Sequence, residues 1–177
     1  QRNHNPRVGG SNPSPATIRW RIGDNMKKLI FLFLIIASIS LNAGHHKVGE
    51  LSSEEIVKMA YSTFASGDTD AWSKLHTEDL KFSIYGKLPH SGTHIGTEAT
   101  IKNVFEVIPK FWPNFKLEIQ NIDTVKTKSG STVYVLHKMT ADNLNSSALH
   151  MFTLKNGKIN SFSAFDDYDS MRKAMVK

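Results

Sequence analysis

Cysteine is absent from the 177 residues. That excludes a disulfide framework, a thiolate nucleophile, a thiolate metal site and the lipidated cysteine of a lipoprotein. Net charge is nearly absent too, once it is located. The chain carries 22 Lys and Arg against 16 Asp and Glu, a formal +6. Six of the basic residues (Arg2, Arg7, Arg19, Arg21, Lys27, Lys28) and one acid, Asp24, fall within residues 1–43, leaving 16 basic against 15 acidic side chains over 44–177. A near-neutral domain has no electrostatic footprint for a phosphate backbone, so nucleic acid is not an expected partner. Long hydrophobic runs are also missing. The unbroken apolar stretch Leu29–Ala37 falls well short of the ~20 residues a membrane-spanning helix needs. Internal repeats and low-complexity tracts are absent.

What is present begins with "MKKLIFLFLIIASISLNAG" (26–44), which has the layout of a secretory signal peptide: Lys27 and Lys28, the apolar run, then small residues. Cleavage is expected after Ala43, with Ser40 as the alternative, and an uncleaved anchor is the competing reading. The expected location is periplasmic or secreted, with no stable membrane anchor after cleavage. Residues 1–25 are rich in Gly, Pro, Asn and Arg without apolar periodicity, and are read as translated upstream sequence, disordered and outside the native protein. Residues 44–50 read as a flexible mature terminus. A chain beginning Gly44-His45-His46 offers a free amine, two amides and a third-position imidazole, a square-planar set suited to Cu(II). A frayed polar terminus is the simpler reading.

Residues 51–177 form the expected single domain. Ser52 and Glu55 make a capping box before a helix whose apolar positions are Ile56, Met59, Ala60, Thr63 and Phe64, ending at Gly67. A short second helix over Asp70–Leu75, capped by Thr69 or Asp70, precedes a strand over 81–86. "LPHSGTHIG" reads as a loop. Ile101, Val104, Phe105 and Ile108 stripe a third helix over 97–112, which Pro109 should end or kink. Strands are expected at Phe115–Val125, Thr132–Thr140, Ser147–Leu154 and Ile159–Phe165, then a terminal helix capped by Asp167 or Asp169. Helices first and strands after give an α+β fold: a cone-like, curved antiparallel sheet packed against three N-terminal helices.

The order of elements, with "YSTFASGDTDAW", "GTHIGTEATI", "LHMFTLKNGKI" and "FDDYD" at their junctions, resembles the nuclear transport factor 2-like fold, specifically its SnoaL-like and ketosteroid-isomerase-like members. The resemblance spans roughly residues 51–175 and implies one mostly apolar pocket, often in a homodimer. It implies a small, largely apolar ligand and no metal or organic cofactor. Function does not follow from the fold, so the catalytic positions were carried across singly. The steroid-isomerase tyrosine falls on Ala60, beside Tyr61; the general base falls on Ile84; the protonated acid falls on His150. Two of three polar groups are missing. SnoaL-type cyclases are similar in placing a histidine where His150 stands, but the acid they pair with it falls on Ser163.

Asp166 and Asp167 are the candidate replacements, and the hairpin register decides between them. A two-residue Asn156-Gly157 turn sets His150 opposite Ser163 and turns Asp167 inward. A three-residue loop with a bulge sets His150 opposite Phe162 and turns Asp166 inward. The resemblance favours the second, yet four residues of strand then put Asp166 ~13 Å from His150's partner, too far for a direct hydrogen bond. Helix capping is the plainer reading of both acids, and a satisfied core histidine that of His150. The candidate catalytic residues are thus His150 and Asp166.

Tyr61, Trp72, Phe82, Ile84, Phe105, Trp112, Phe152 and Phe162 are the candidate ligand-contacting residues. Tyr85 is placed with them, and Phe111 and Phe115 near the pocket mouth. Aromatics on apolar faces are by default core. His90 and His94 have an i, i+4 spacing but lie on a loop without a carboxylate, so no metal is expected there, and His137 has no evident partner. The expected activity is His-assisted lyase, isomerase or cyclase chemistry on a small apolar molecule. The alternative is a non-catalytic ligand-binding or dimerisation module.

Overall fold

Ser52 opens the first helix as its spacing predicts. In the computed structural model, which describes residues 51–177, its amide donates to Glu55 Oε2 (2.7 Å) while its Oγ accepts from the Glu55 amide (3.2 Å). The expectations for the upstream segment, the signal segment and the Gly44-His45-His46 terminus lie outside the described residues.

Helix α1 (Ser53–Ser66) ends at Gly67, whose φ of 71° is the left-handed cap glycine adopts without a Cβ penalty. Its buried residues are Ile56, Val57 and Ala60, with Tyr61 and Phe64 packed against the same core. The apolar face is therefore rotated from the expected stripe. Met59 is exposed, and the Thr63 hydroxyl donates to the Met59 carbonyl instead of facing the core. Helix α2 (Thr69–Lys74) starts one residue earlier than expected and is capped by Asp68, not Thr69 or Asp70, because the Asp68 carboxylate accepts from the Ala71 amide.

Strand β1 (His76–Ile84) follows, and part of the expected loop is a strand, β2 (Gly92–Ile95), paired antiparallel to β1. The third helix is not continuous. It comprises α3 (Thr97–Thr100), a π-helical turn (Ile101–Phe105) and α4 (Ile108–Phe111). Glu106 N donates to Ile101 O, an i→i−5 bond that absorbs one extra residue. Pro109, lacking an amide proton, sits in the first turn of α4, where no partner is needed.

Three long strands, β3 (Lys116–Thr127), β4 (Gly130–Ala141) and β5 (Leu144–Lys155), lead to β6 (Lys158–Phe165) and helix α5 (Tyr168–Ala174). The sheet order is β2-β1-β6-β5-β4-β3. All neighbours are antiparallel except β1 and β6, which run parallel because the whole remainder of the domain connects them. The fold is α+β, with a curved, unclosed six-stranded sheet. Its inner face meets α1, α2 and the π turn in one core centred on Val57, Trp72, Leu80, Val133 and Ile159. A second cluster, with Leu88, Trp112, Met139, Leu144 and Met171, lies where α5 closes against β5.

Candidate functional site

The β5–β6 hairpin sets the site. Asn156 (φ 52°) and Gly157 (φ 72°) form a two-residue turn of the I′ kind, and Leu154 pairs with Ile159. The register then shifts: Thr153 pairs with Ser161, leaving Asn160 as the extra residue of a bulge. Beyond it His150 opposes Ala164, not Ser163 or Phe162. The turn follows one anticipated register and the inward faces follow the other. Asp166 consequently leaves the strand on the inner side only two residues past His150's partner. The expected ~13 Å separation does not arise, because the two-residue turn and the one-residue bulge together advance β6 by two positions relative to it.

His150 Nε2 lies 3.3 Å from Asp166 Oδ1, and both side chains are under a tenth exposed. The contact has ion-pair length but is off-axis for a hydrogen bond. On the ring's other edge, Nδ1 is 2.7 Å from the Tyr61 hydroxyl. The Tyr61 and His150 rings lie nearly parallel, 11° apart. Burial, and then the Asp166 charge, push the Tyr61 phenol well above its ordinary value, so it keeps its proton and donates it to Nδ1 whenever that nitrogen is unprotonated. Burial pushes the Asp166 carboxyl up, but His150, His137 and His90 together outweigh it and hold it below the usual carboxylate range. The result is a chain of three groups: phenol, imidazole, carboxylate. Asp167, by contrast, faces solvent and caps α5 through the Ser170 amide (3.1 Å).

His137, unassigned from sequence, packs against His150 with ring centroids 3.9 Å apart. On β4 it pairs with Ala148, so it is the inward diagonal neighbour of His150. It is fully buried, and neither ring nitrogen meets a hydrogen-bond partner. Burial first, then His150, lowers its pKa to about 3, so it is neutral. An unpartnered buried polar group of this kind costs about 1–3 kcal/mol. His90, also missed, is 2% exposed with Nδ1 unpartnered; its pKa falls to about 4, chiefly through burial. Strand alternation with Val133 and Val135 was a usable signal for His137, whereas His90 sits in a loop without periodicity.

The phenol–imidazole–carboxylate chain borders a cavity of about 70 Å³. Tyr61, Trp72, Phe82, Ile84, Phe105, Phe152 and Phe162 line it, as do His76, His90, His150 and Asp166. Phe82 stacks on Phe162 (4.0 Å), whose ring the His150 imidazole meets at its edge (4.7 Å). Ala60 is also in the wall, so two of the positions where steroid isomerases are polar are apolar here, at Ala60 and Ile84. Ser163, the third divergent position, pairs with Met151 and points away from His150.

Two expected wall residues lie elsewhere. Trp112 is fully buried in the second cluster, because its indole N–H reaches the Met171 carbonyl (2.9 Å) and a buried indole needs such an acceptor. Tyr85 follows Ile84 and so faces outward, 56% exposed, tilted against Phe165 at 5.2 Å. Phe115 reaches the cavity; Phe111 does not. His94 turns its Nε2 to the His90 carbonyl (3.2 Å) and forms no site with His90.

An unclosed curved sheet wrapped on helices around one apolar cavity is the nuclear transport factor 2-like class. Residues 57–162 match the SnoaL-like domain family, and the chain belongs to it. No curated protein matches the sequence. Among solved structures, the chain is similar to Bal32a from a soil-derived mobile gene cassette, with 23% identity, TM-score 0.60, and 70% of this chain and 95% of the other covered. It is similar to an NTF2-like protein of unknown function from Burkholderia pseudomallei, with 16% identity, TM-score 0.59, and 70% and 97% covered. It is also similar to TerC co-crystallised with polyporic acid, with 16% identity, TM-score 0.57, and 68% and 95% covered. At these identities the likeness is one of fold.

Proposed function

We propose that the domain binds a small, largely apolar molecule bearing an oxygen function, and that Tyr61, His150 and Asp166 move a proton to it in an isomerase-, lyase- or cyclase-type step. The observation that carries this reading is the Tyr61–His150–Asp166 chain bordering a mostly apolar cavity. Both imidazole nitrogens are engaged, so a ligand meets the chain through the phenol. With His150 protonated, Nδ1–H donates to the Tyr61 oxygen, and the phenol offers its own proton to an oxygen on which charge develops. Asp166 orients the imidazole and stabilises its cationic form. A phenol that holds its proton this firmly is a donor, not a nucleophile.

The cavity limits the guest. Small-molecule sites usually measure about 300–1,000 Å³, so about 70 Å³ admits a compact molecule unless the aromatic walls part. That TerC is co-crystallised with polyporic acid supports an oxygen-bearing organic ligand.

The second reading is a binding module without catalysis, favoured by the apolar Ala60 and Ile84 in the wall. His150→Gln separates the two once a ligand is found. An enzyme loses turnover at least a hundredfold with its fold intact, whereas a binding module loses only affinity. Unchanged turnover in His150→Gln and Tyr61→Phe refutes the catalytic assignment.

A homodimer through the outer sheet face belongs to the same proposal. Phe165 pairs with Leu149, and Leu149 with Leu136, making an apolar band about two-fifths exposed across three strands, with Tyr85 at one end. Monomeric proteins seldom leave such a contiguous patch uncovered. Export to the periplasm or medium is proposed from residues 26–43 alone; the mass of the mature chain tests it.

A further inference from the structure

We infer that His137, His150 and Asp166 form a binding site for a divalent transition-metal ion of the zinc class. One potential ligand atom from each lies within 4.8 Å of the other two. Two imidazoles and one carboxylate make a donor set that suits Zn(II), Fe(II) or Co(II) and disfavours Mg(II) and Ca(II), which take oxygen ligands. Three protein ligands with a further position open is the arrangement of reactive metal sites rather than closed structural ones.

Two features of the cluster fit an ion better than a hydrogen-bond network. Neither nitrogen of the fully buried His137 has a hydrogen-bond partner, nor does Asp166 Oδ1. A lone pair on His137 therefore has no use within the described residues. In addition, the off-axis 3.3 Å between His150 Nε2 and Asp166 Oδ1 is poor for a hydrogen bond. It matches the edge of a tetrahedron with metal–ligand bonds near 2.0–2.1 Å, about 3.3–3.4 Å.

Tyr61 completes the arrangement from the outer shell. When Nε2 is a ligand, the other ring nitrogen carries the proton and donates it, and its acceptor fixes the ring. The Tyr61 hydroxyl, 2.7 Å from Nδ1, stands in that place. Metal binding therefore reverses the Tyr61–His150 hydrogen bond and turns the phenol proton away from the imidazole. Because His150 and Asp166 both line the cavity, the ion borders it, and an oxygen of the guest completes its coordination. The ion carries two positive charges against one carboxylate, so an anionic oxygen, as in a carboxylate or enolate, is the matching ligand chemistry.

The test is a Co(II) titration of the full chain carrying His45→Ala and His46→Ala, which removes any terminal chelate. One equivalent should bind with a visible d–d band that Zn(II) displaces. His137→Gln and Asp166→Asn should each weaken binding at least tenfold, while His94→Ala keeps the band. Paramagnetic shifts of the His137 and His150 ring protons, with His94 unaffected, decide the matter in the unaltered site if either variant fails to fold. No band, or a band that survives both His137→Gln and Asp166→Asn, overturns the assignment. The proton-relay reading is tested separately: turnover by metal-free protein overturns only the metal's necessity, and a metal-loaded protein that binds no guest overturns only the relay.

Discussion

His150 and Asp166 meet because β6 sets Ala164 opposite His150 and Asp166 follows two residues later on the same side. Strand β5 presents His150 inward, and the Asn160 bulge takes up one residue between the turn and that register. The contact thus depends on the backbone as much as on the two side chains. Deleting Asn160 makes the ladder regular without changing which residues face inward, since Thr153 still meets Ser161. The deletion variant should fold and keep the His150–Asp166 contact in a crystal structure. A structure with Asp167 turned inward instead contradicts this register.

Acid should destabilise the fold earlier than carboxylate titration alone explains. Burial lowers His76 and His90 to about 4 and His137 to about 3, against 6.5 for a free imidazole. Between pH 6.5 and those values the unfolded chain binds protons that the folded chain refuses, so stability falls as pH falls and the loss is complete below the folded values. Asp166, held low, adds a contribution present above its ordinary range and lost as pH drops through its folded value. Urea titrations between pH 7 and 4 check the slope. His76→Gln should reduce it by up to about 1.4 kcal/mol per pH unit, and an unchanged slope contradicts the buried neutral imidazole. That ring lies 2.7 Å from the Trp72 carbonyl through Nδ1.

Tyr61→Phe removes one hydroxyl and leaves the ring. Chemical denaturation should show a loss of about 0.5–1.5 kcal/mol, the usual worth of one such hydrogen bond. A larger loss, of several kcal/mol, contradicts a phenol whose main polar role is the single bond to His150 Nδ1.

Two glycines should respond differently to alanine. At Gly130 (φ 150°) an added Cβ comes within 1.9 Å of the Leu154 carbonyl oxygen, whereas at Gly157 (φ 72°) it meets nothing within 4 Å. Gly157→Ala should cost about 1–2 kcal/mol of left-handed strain. Gly130→Ala should cost clearly more, since backbone must move. Equal melting temperatures for the two variants contradict the β4–β5 packing.

The outer face should hold two copies together. Light scattering should give a dimer for the wild type and a monomer for Leu149→Lys with Phe165→Glu, both residues being well exposed on the sheet. A wild type that stays monomeric at every concentration removes the homodimer from the account.

Much of this was legible in the residues. Ser52 and Glu55 marked a helix start, and alternation on β5 turned His150 and Phe152 the same way, whereas the two-residue Asn156-Gly157 turn was one of two readings and not the favoured one. Seven of the eight candidate ligand contacts line the cavity. What was illegible has physical causes. "KINSF" carries no glycine or proline to announce a bulge, so the meeting of His150 with Asp166 was hidden. His137 needed the β4–β5 register, a long-range fact, before it could be placed beside His150. Trp112 was drawn away by an acceptor 59 residues later in the chain.

The most direct test is the identification by mass of what the protein carries when purified from its own source, in parallel with Ala60→Leu. That substitution keeps α1 helical and puts a larger side chain into the cavity that Ala60 lines. The account predicts one compact, mostly apolar, oxygen-bearing molecule, stoichiometric with the wild type and absent from the variant. A wild type that carries no such molecule and binds none from a host extract, or a molecule retained equally by Ala60→Leu, contradicts it.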